Sequence, residues 1–160
     1  MKNTYKYYIK SFGALWLDEE EEYEELISEL KEKLKLEKNS NGYNNLGLAQ
    51  LEMGYREESL INLNQAIKLN PSNSIAYYNR AELNKKLKKN VEAEIDYSKA
   101  IELEPSKATY WRCRAYLRKE RTGDLINALT DFKQAEKIEP EFQPTKDEIV
   151  KLKKELGFEL

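Results

Sequence analysis

Histidine is missing from this 160-residue sequence, and its one cysteine, Cys113, stands between Arg112 and Arg114. Without an imidazole the chain lacks the usual group for proton transfer near neutral pH and the commonest zinc ligand. A single thiol forms no disulfide within the chain and no thiolate metal cluster. The flanking arginines would favour a Cys113 thiolate, but no base stands ready to activate it, and a free cysteine is commonly a small packed residue. No glycine-rich phosphate loop and no metal-ligand spacing occurs. The side chains therefore point away from an enzyme and call for no cofactor and no metal. What they offer is recognition chemistry. Asn45 and Asn79 lie 34 residues apart, and a primary amide, with two donors and one acceptor group, can hold the backbone of an extended peptide whatever its sequence. Arg112, Lys85 and Lys119 could pair with acidic side chains or a carboxylate. Tyr78 and Tyr116 offer flat apolar contact.

The elements that must position these residues are set by a repeat. The stretch from Ser74 to Pro105 is one of three copies; the others run from Ser40 to Pro71 and from Ala108 to Pro140, and the closing prolines fall at intervals of 34 and 35. The fourth position of the unit is Tyr43, Tyr77 or Trp111, and the eighth is Gly47, Ala81 or Ala115. The twentieth is Ser59, Ala93 or Ala128, once one extra residue is allowed in the third unit's turn. The twenty-fourth is Leu63, Tyr97 or Phe132, and the twenty-seventh is Ala66, Ala100 or Ala135. Two antiparallel helices approach closely only where side chains are small, and the large residues fill the space between. A single unit cannot bury its apolar face alone, so neighbours must stack. Proline ends the second helix, since it lacks an N–H and disfavours helix in the residue before it.

Over residues 40 to 142 this pattern resembles the tetratricopeptide repeat family. The resemblance implies an all-α solenoid of three antiparallel helix pairs, each with a helix A and a helix B. An N-terminal helical segment and a C-terminal capping helix complete it. The chain then divides into a cap at 1–39, repeats at 40–73, 74–107 and 108–142, and a last helix at 143–160. Departures stand at the eleventh position, where Gln50, Asn84 and Arg118 replace the family's tyrosine, and at the seventh, where Arg80 and Arg114 replace leucine. Carried over from the family, the groove-facing positions are Asn41, Asn44, Asn45, Leu48, Leu51 and Glu52 in the first repeat. In the second they are Ile75, Tyr78, Asn79, Glu82, Lys85 and Lys86, and in the third Thr109, Arg112, Cys113, Tyr116, Lys119 and Glu120. The resemblance implies a non-catalytic module that binds a peptide or protein there. One subclass grips the terminal carboxylate of chaperone peptides through five polar residues. At those five positions this chain has Asn44, Leu48, Asn79, Thr109 and Cys113, of which only Asn79 agrees. The alternative is a dedicated chaperone or immunity-type inhibitor that uses the N-terminal arm as well.

Twenty-seven basic and 29 acidic residues leave a net charge of −2, unlike the strongly basic face of a nucleic-acid binder. No window is apolar enough to span a membrane, and residues 1–17 do not read as a secretory signal, so the expected location is the cytoplasm. Tyr5, Tyr8, Phe12 and Leu15 suit one helical face, although Gly13 weakens a long helix. Phe12, Leu15 and Trp16 could cover the open end of the array or form a partner-binding arm. The acidic run from Asp18 to Glu25 opens a helix reaching about Lys38, with charge suited to the helix dipole. Further helices are expected near 40–53, 56–69, 74–87, 91–103, 108–120, 124–138 and 145–156. Exposed solenoid ends can also stack, which would give a homo-oligomer.

Overall fold

The computed structural model describes residues 5–9, 13–17 and 20–158, with side chains from residue 22 onward. Strands β1 (Tyr5–Ile9) and β2 (Gly13–Leu17) are followed by helices α1 (Glu20–Leu36), α2 (Ser40–Glu52), α3 (Arg56–Leu69), α4 (Ser74–Lys86), α5 (Asn90–Leu103), α6 (Ala108–Leu117), α7 (Leu125–Ile138) and α8 (Gln143–Glu155). A π-helical turn, Arg118–Thr122, continues α6. The all-α class expected from the repeat holds for the chain from Glu20 onward. Residues 1–83 and 84–160 form two compact units.

The N-terminal stretch departs from the helical reading. β1 and β2 pair antiparallel, with Tyr5 opposite Leu17 and Ile9 opposite Gly13. The 3-4-3 spacing of Tyr5, Tyr8, Phe12 and Leu15 was consistent with a helix, but tyrosine, isoleucine and tryptophan favour extended backbone, and Gly13 disfavours a helix through it. Phe12 and the side chains of Leu15 and Trp16, expected to cover an open end, lie outside the described residues.

In the first unit α1 packs Leu26, Ile27, Leu30 and Leu34 with Leu46 and Ala49 of α2. A Cβ on Gly42 would fall 2.8 Å from Leu34 Cδ2, so glycine permits this close approach. The Tyr55 hydroxyl donates to Glu24 and ties α1 to the start of α3. The α2–α3 hairpin closes at the small positions. A Cβ on Gly47 would lie 2.8 Å from Leu63, and Ser59 Oγ donates to the Gly47 carbonyl at 2.7 Å. In the second unit Ala115, Ala128, Leu129 and Phe132 share a core with Ile149 and Leu152 of α8.

Three helix ends share one stop. After α2, Gly54 N–H reaches Leu51 O at 3.2 Å and Tyr55 N–H reaches Gln50 O at 2.8 Å. Lys88 and Lys89 repeat the pair after α4, and Gly157 and Phe158 after α8. The residue in the left-handed region is Gly54, Lys88 or Gly157, with φ of 79°, 61° and 74°. This is the Schellman closure. The third repeat carries one residue more, and the π-helical turn absorbs it: Asp124 N–H reaches back to Arg118 O at 3.0 Å, past Gly123 at φ 70°.

The polar departures at the seventh and eleventh positions fasten the helices. Gln50 Oε1 accepts from Asn62 at 2.7 Å, Asn84 donates to Asp96 at 3.2 Å, and Arg118 donates to Asp131 at 2.8 Å. Asn62, Asp96 and Asp131 are equivalent residues of helix B, so one polar pair joins A to B in each repeat. Arg80 reaches Asn64 at 2.7 Å and Arg114 reaches Ser98 at 2.8 Å. Each of these joins a helix A to the helix B before it.

Candidate functional site

In the first unit the asparagines expected to face a bound peptide are buried. Asn44, Asn45 and Asn79 keep 5%, 3% and 4% of their surface exposed. Their amides face one another: Asn79 Nδ2 donates to Asn44 Oδ1 at 2.8 Å and Asn44 Nδ2 to Asn45 Oδ1 at 3.3 Å. The chain of donors ends at Asn45, whose Nδ2 is buried and meets no acceptor among the described residues. A second asparagine rung stands at the helix starts. Asn73 Oδ1 caps Ala76 N–H at 3.1 Å, and its Nδ2 reaches Ser40 Oγ at 2.8 Å and Asn41 Oδ1 at 3.4 Å. Asn39 caps Gly42 N–H in the same way, at 2.7 Å. Asn41 is exposed, and Leu48, Tyr78 and Glu82 are half-buried. The asparagines at these positions thus join α4 to α2.

The second unit holds the cationic residues. The half-buried Lys85 lies near the end of α4. Arg112 Nη1 donates to Glu139 at 2.6 Å, its Nη2 donates to Thr109 Oγ1 at 3.1 Å, and its guanidinium carbon lies 4.4 Å from the centre of the Phe142 ring. The Arg112 side chain is 14% exposed and that of Glu139 47%. Lys119 Nζ sits 2.5 Å from Glu148, which Lys151 also contacts at 2.9 Å. Burial works to raise the Glu148 pKa, but hydrogen bonds and charge from Lys119 and Lys151 outweigh it and hold the carboxyl below the usual 4.5. The Tyr116 hydroxyl moves the other way, raised from 10.0 by burial and then by Glu148. Its ring meets Phe132 edge-on at 4.9 Å. Cys113 is half-buried between these groups in sequence.

The helical hairpins, their small crossing residues and the 34-residue period agree with the family comparison. Tetratricopeptide repeat models match residues 40–73 and 62–95. The chain carries tetratricopeptide repeats. Among solved structures of this fold, a crystal structure of MamA is 19% identical, covers 86% of this chain and 80% of its own, and superposes with a TM-score of 0.77. The first tetratricopeptide domain of Spaghetti (RPAP3), solved with the HSP90 peptide SRMEEVD, is 23% identical over 74% of this chain and 94% of its own, with a TM-score of 0.69. The Arabidopsis OM64 domain is 26% identical over 72% of this chain and 95% of its own, with a TM-score of 0.66. Among curated proteins compared by sequence, none matches.

Within the tetratricopeptide frame, the structure brings Asn44, Asn45 and Asn79 together in one unit. In the other, Glu148 joins Lys119 to Lys151 beside Tyr116. Sequence reasoning did not anticipate Asn73, Asn64, Ser98 and Asp131 as polar partners. The signal was available: Asn62, Asp96 and Asp131 lie one repeat apart, and they face Gln50, Asn84 and Arg118, which recur every 34 residues. No group of three or more potential metal-ligating side chains stands together among the described residues. No described helix is long and apolar enough to cross a membrane.

Proposed function

We propose that this protein is a non-catalytic interaction module that binds a peptide or protein segment against the A helices of its repeats. The observation that carries this reading is the setting of Arg112. Its guanidinium is positioned by Thr109 and by the Phe142 ring, yet its counter-ion, Glu139, is half exposed. An acidic side chain of a partner replaces Glu139 there without unburying the arginine, and charge-assisted pairing to guanidinium is strong and directional. Tyr116 and Lys119 extend the same helix face by one and two turns. The tetratricopeptide frame supports the reading, and so does the peptide seen on the RPAP3 domain. The carboxylate grip of the chaperone-binding subclass is not carried over, since Asn44, Leu48, Thr109 and Cys113 replace four of its five residues.

The test is partner capture from a native lysate on immobilised protein, comparing wild type with Arg112→Glu and Lys119→Glu. Wild type is expected to retain a partner that Arg112→Glu loses while its helical circular dichroism is unchanged. Equal retention by every variant would end this reading. If deletion of residues 1–17 then abolished binding, the protein would be a dedicated holder that uses its N-terminal arm.

A further inference from the structure

The equivalence of the first two asparagine rungs shows where one of them is incomplete. At the start of α4, Asn73, Ala76 and Asn79 are 8%, 0% and 4% exposed, and the first and last donate to oxygens of α2: Ser40 Oγ, Asn41 Oδ1 and Asn44 Oδ1. One period earlier, Asn39, Gly42 and Asn45 stand in the same places on α2. There Asn39 is exposed, and the buried Asn45 Nδ2 has no acceptor among the described residues. Asn39, Gly42 and Asn45, with Leu30, Leu34 and Leu36 of α1, line a cavity of about 290 Å³. Leu36 is 91% exposed, so one apolar wall of this cavity is open. A buried amide donor without a partner is costly, and an apolar wall beside a convergent polar group is the ordinary composition of a binding cleft.

We infer that the cleft bounded by Leu36, Asn39 and Asn45 is a seat for a helix of a partner protein. That helix carries a serine or asparagine at one position and an asparagine four residues later, as Ser40 and Asn44 do for α4. Its later side-chain oxygen accepts from Asn45 Nδ2, its earlier one from Asn39, and an apolar residue between them covers Leu36. The hydrogen bond satisfies a donor that is already desolvated, so the gain does not have to offset a new burial cost. This inference deepens the proposed interaction function by naming a second seat. It does not involve Arg112 or Lys119, so either reading can fail alone.

The experiment is an NMR titration of the full ¹⁵N-labelled chain with a side-chain-cross-linked helical peptide of residues 40–53, the segment that already fills the equivalent seat. A control peptide carries Asn44→Leu. The Asn45 side-chain amide signals are expected to shift saturably with the first peptide and to respond about tenfold more weakly to the control, the value of one hydrogen bond. Asn45→Leu in the protein should weaken binding by a similar factor. That variant leaves Asn44 Nδ2 without its acceptor, so Leu36→Glu, a change at an exposed site that cannot disturb the core, serves as the second variant and should also weaken binding several-fold. No saturable shift, or equal binding of both peptides, would overturn the seat. Nuclear Overhauser contacts from Asn45 to residues 1–19 in the free chain would assign the cleft to the protein's own N-terminal segment. Asn45 shifts on diluting the chain alone would assign it to a second copy. Either result also overturns the partner assignment.

Discussion

Asp131 takes three hydrogen bonds from two arginines, Arg114 through Nε and Nη2 and Arg118 through Nη1, each at 2.8 Å. Its side chain is 2% exposed, and those of the arginines are 13% and 16%. Removing the carboxylate takes the acidic partner from the nearly buried Arg114 guanidinium, while Arg118 keeps only Glu94, at 2.7 Å. Asp131→Ala should therefore cost about 3–5 kcal/mol of stability, read as a lower urea midpoint, and a loss below about 1 kcal/mol would show that solvent reaches the pair. Glu148 carries a second residue-scale expectation. Its lowered pKa means that its pairing with Lys119 and Lys151 stabilises the fold above the ordinary carboxyl value of 4.5 and is lost as pH falls through the lower folded value. Wild type should melt above Glu148→Gln at neutral pH, and the gap should shrink as the pH falls below the ordinary carboxyl value and through the lower folded one. A gap that stays constant with pH would contradict the assignment. These polar sites were only half legible in the sequence. Gln50, Asn84 and Arg118 stand out because they depart from the tyrosine of the tetratricopeptide pattern. Their partners are unremarkable residues in another helix, and only the folded hairpin brings the two periods together.

At the scale of elements, the helix stops follow one backbone rule with one exception. Gly54 and Gly157 take the left-handed position that closes α2 and α8, but Lys88 takes it after α4, at φ 61°. A Cβ is strained there and glycine is not. Lys88→Gly should stabilise the protein by about 0.5–1 kcal/mol, seen as a higher melting temperature, whereas Gly54→Lys should lower it. The small-residue and proline spacing made the helical hairpins readable, with boundaries within a few residues, because sterics at the crossing and the missing N–H of proline act locally. Two elements were not readable. The extra residue of the third repeat could be counted but not placed, since a turn can lengthen in several ways and the Asp124-to-Arg118 bond selects the π-helical one. The N-terminal aromatics satisfied a helical spacing by chance, and the register of β1 on β2 depends on pairing that no single-strand pattern fixes.

At the scale of the whole molecule, stacked repeats are stabilised by their neighbours, so each terminal helix determines what the last hairpin exposes. The α8 helix shows both duties of such a cap. Ile149 and Leu152 are 5% and 0% exposed and close the core of Ala115, Ala128, Leu129 and Phe132, while Val150 and Lys151 remain on the outside. The amphipathic spacing of Ile149, Leu152 and Leu156 made this cap legible from sequence, because one apolar stripe on a lysine- and glutamate-rich helix has a single way to pack. A chain ending at Glu141 would lose the burial of two large aliphatic side chains, roughly 3–6 kcal/mol, together with the Lys119–Glu148 pair. It would also expose the Phe132 ring and its neighbours as an apolar patch. The truncated chain should unfold at lower urea and sediment as concentration-dependent aggregates, while the full chain with Leu152→Ala should lose about 2–5 kcal/mol. A truncated chain as stable and as monodisperse as the full one would mean that α8 covers nothing the third repeat needs, and that the hairpin of α6 and α7 is closed by its own residues.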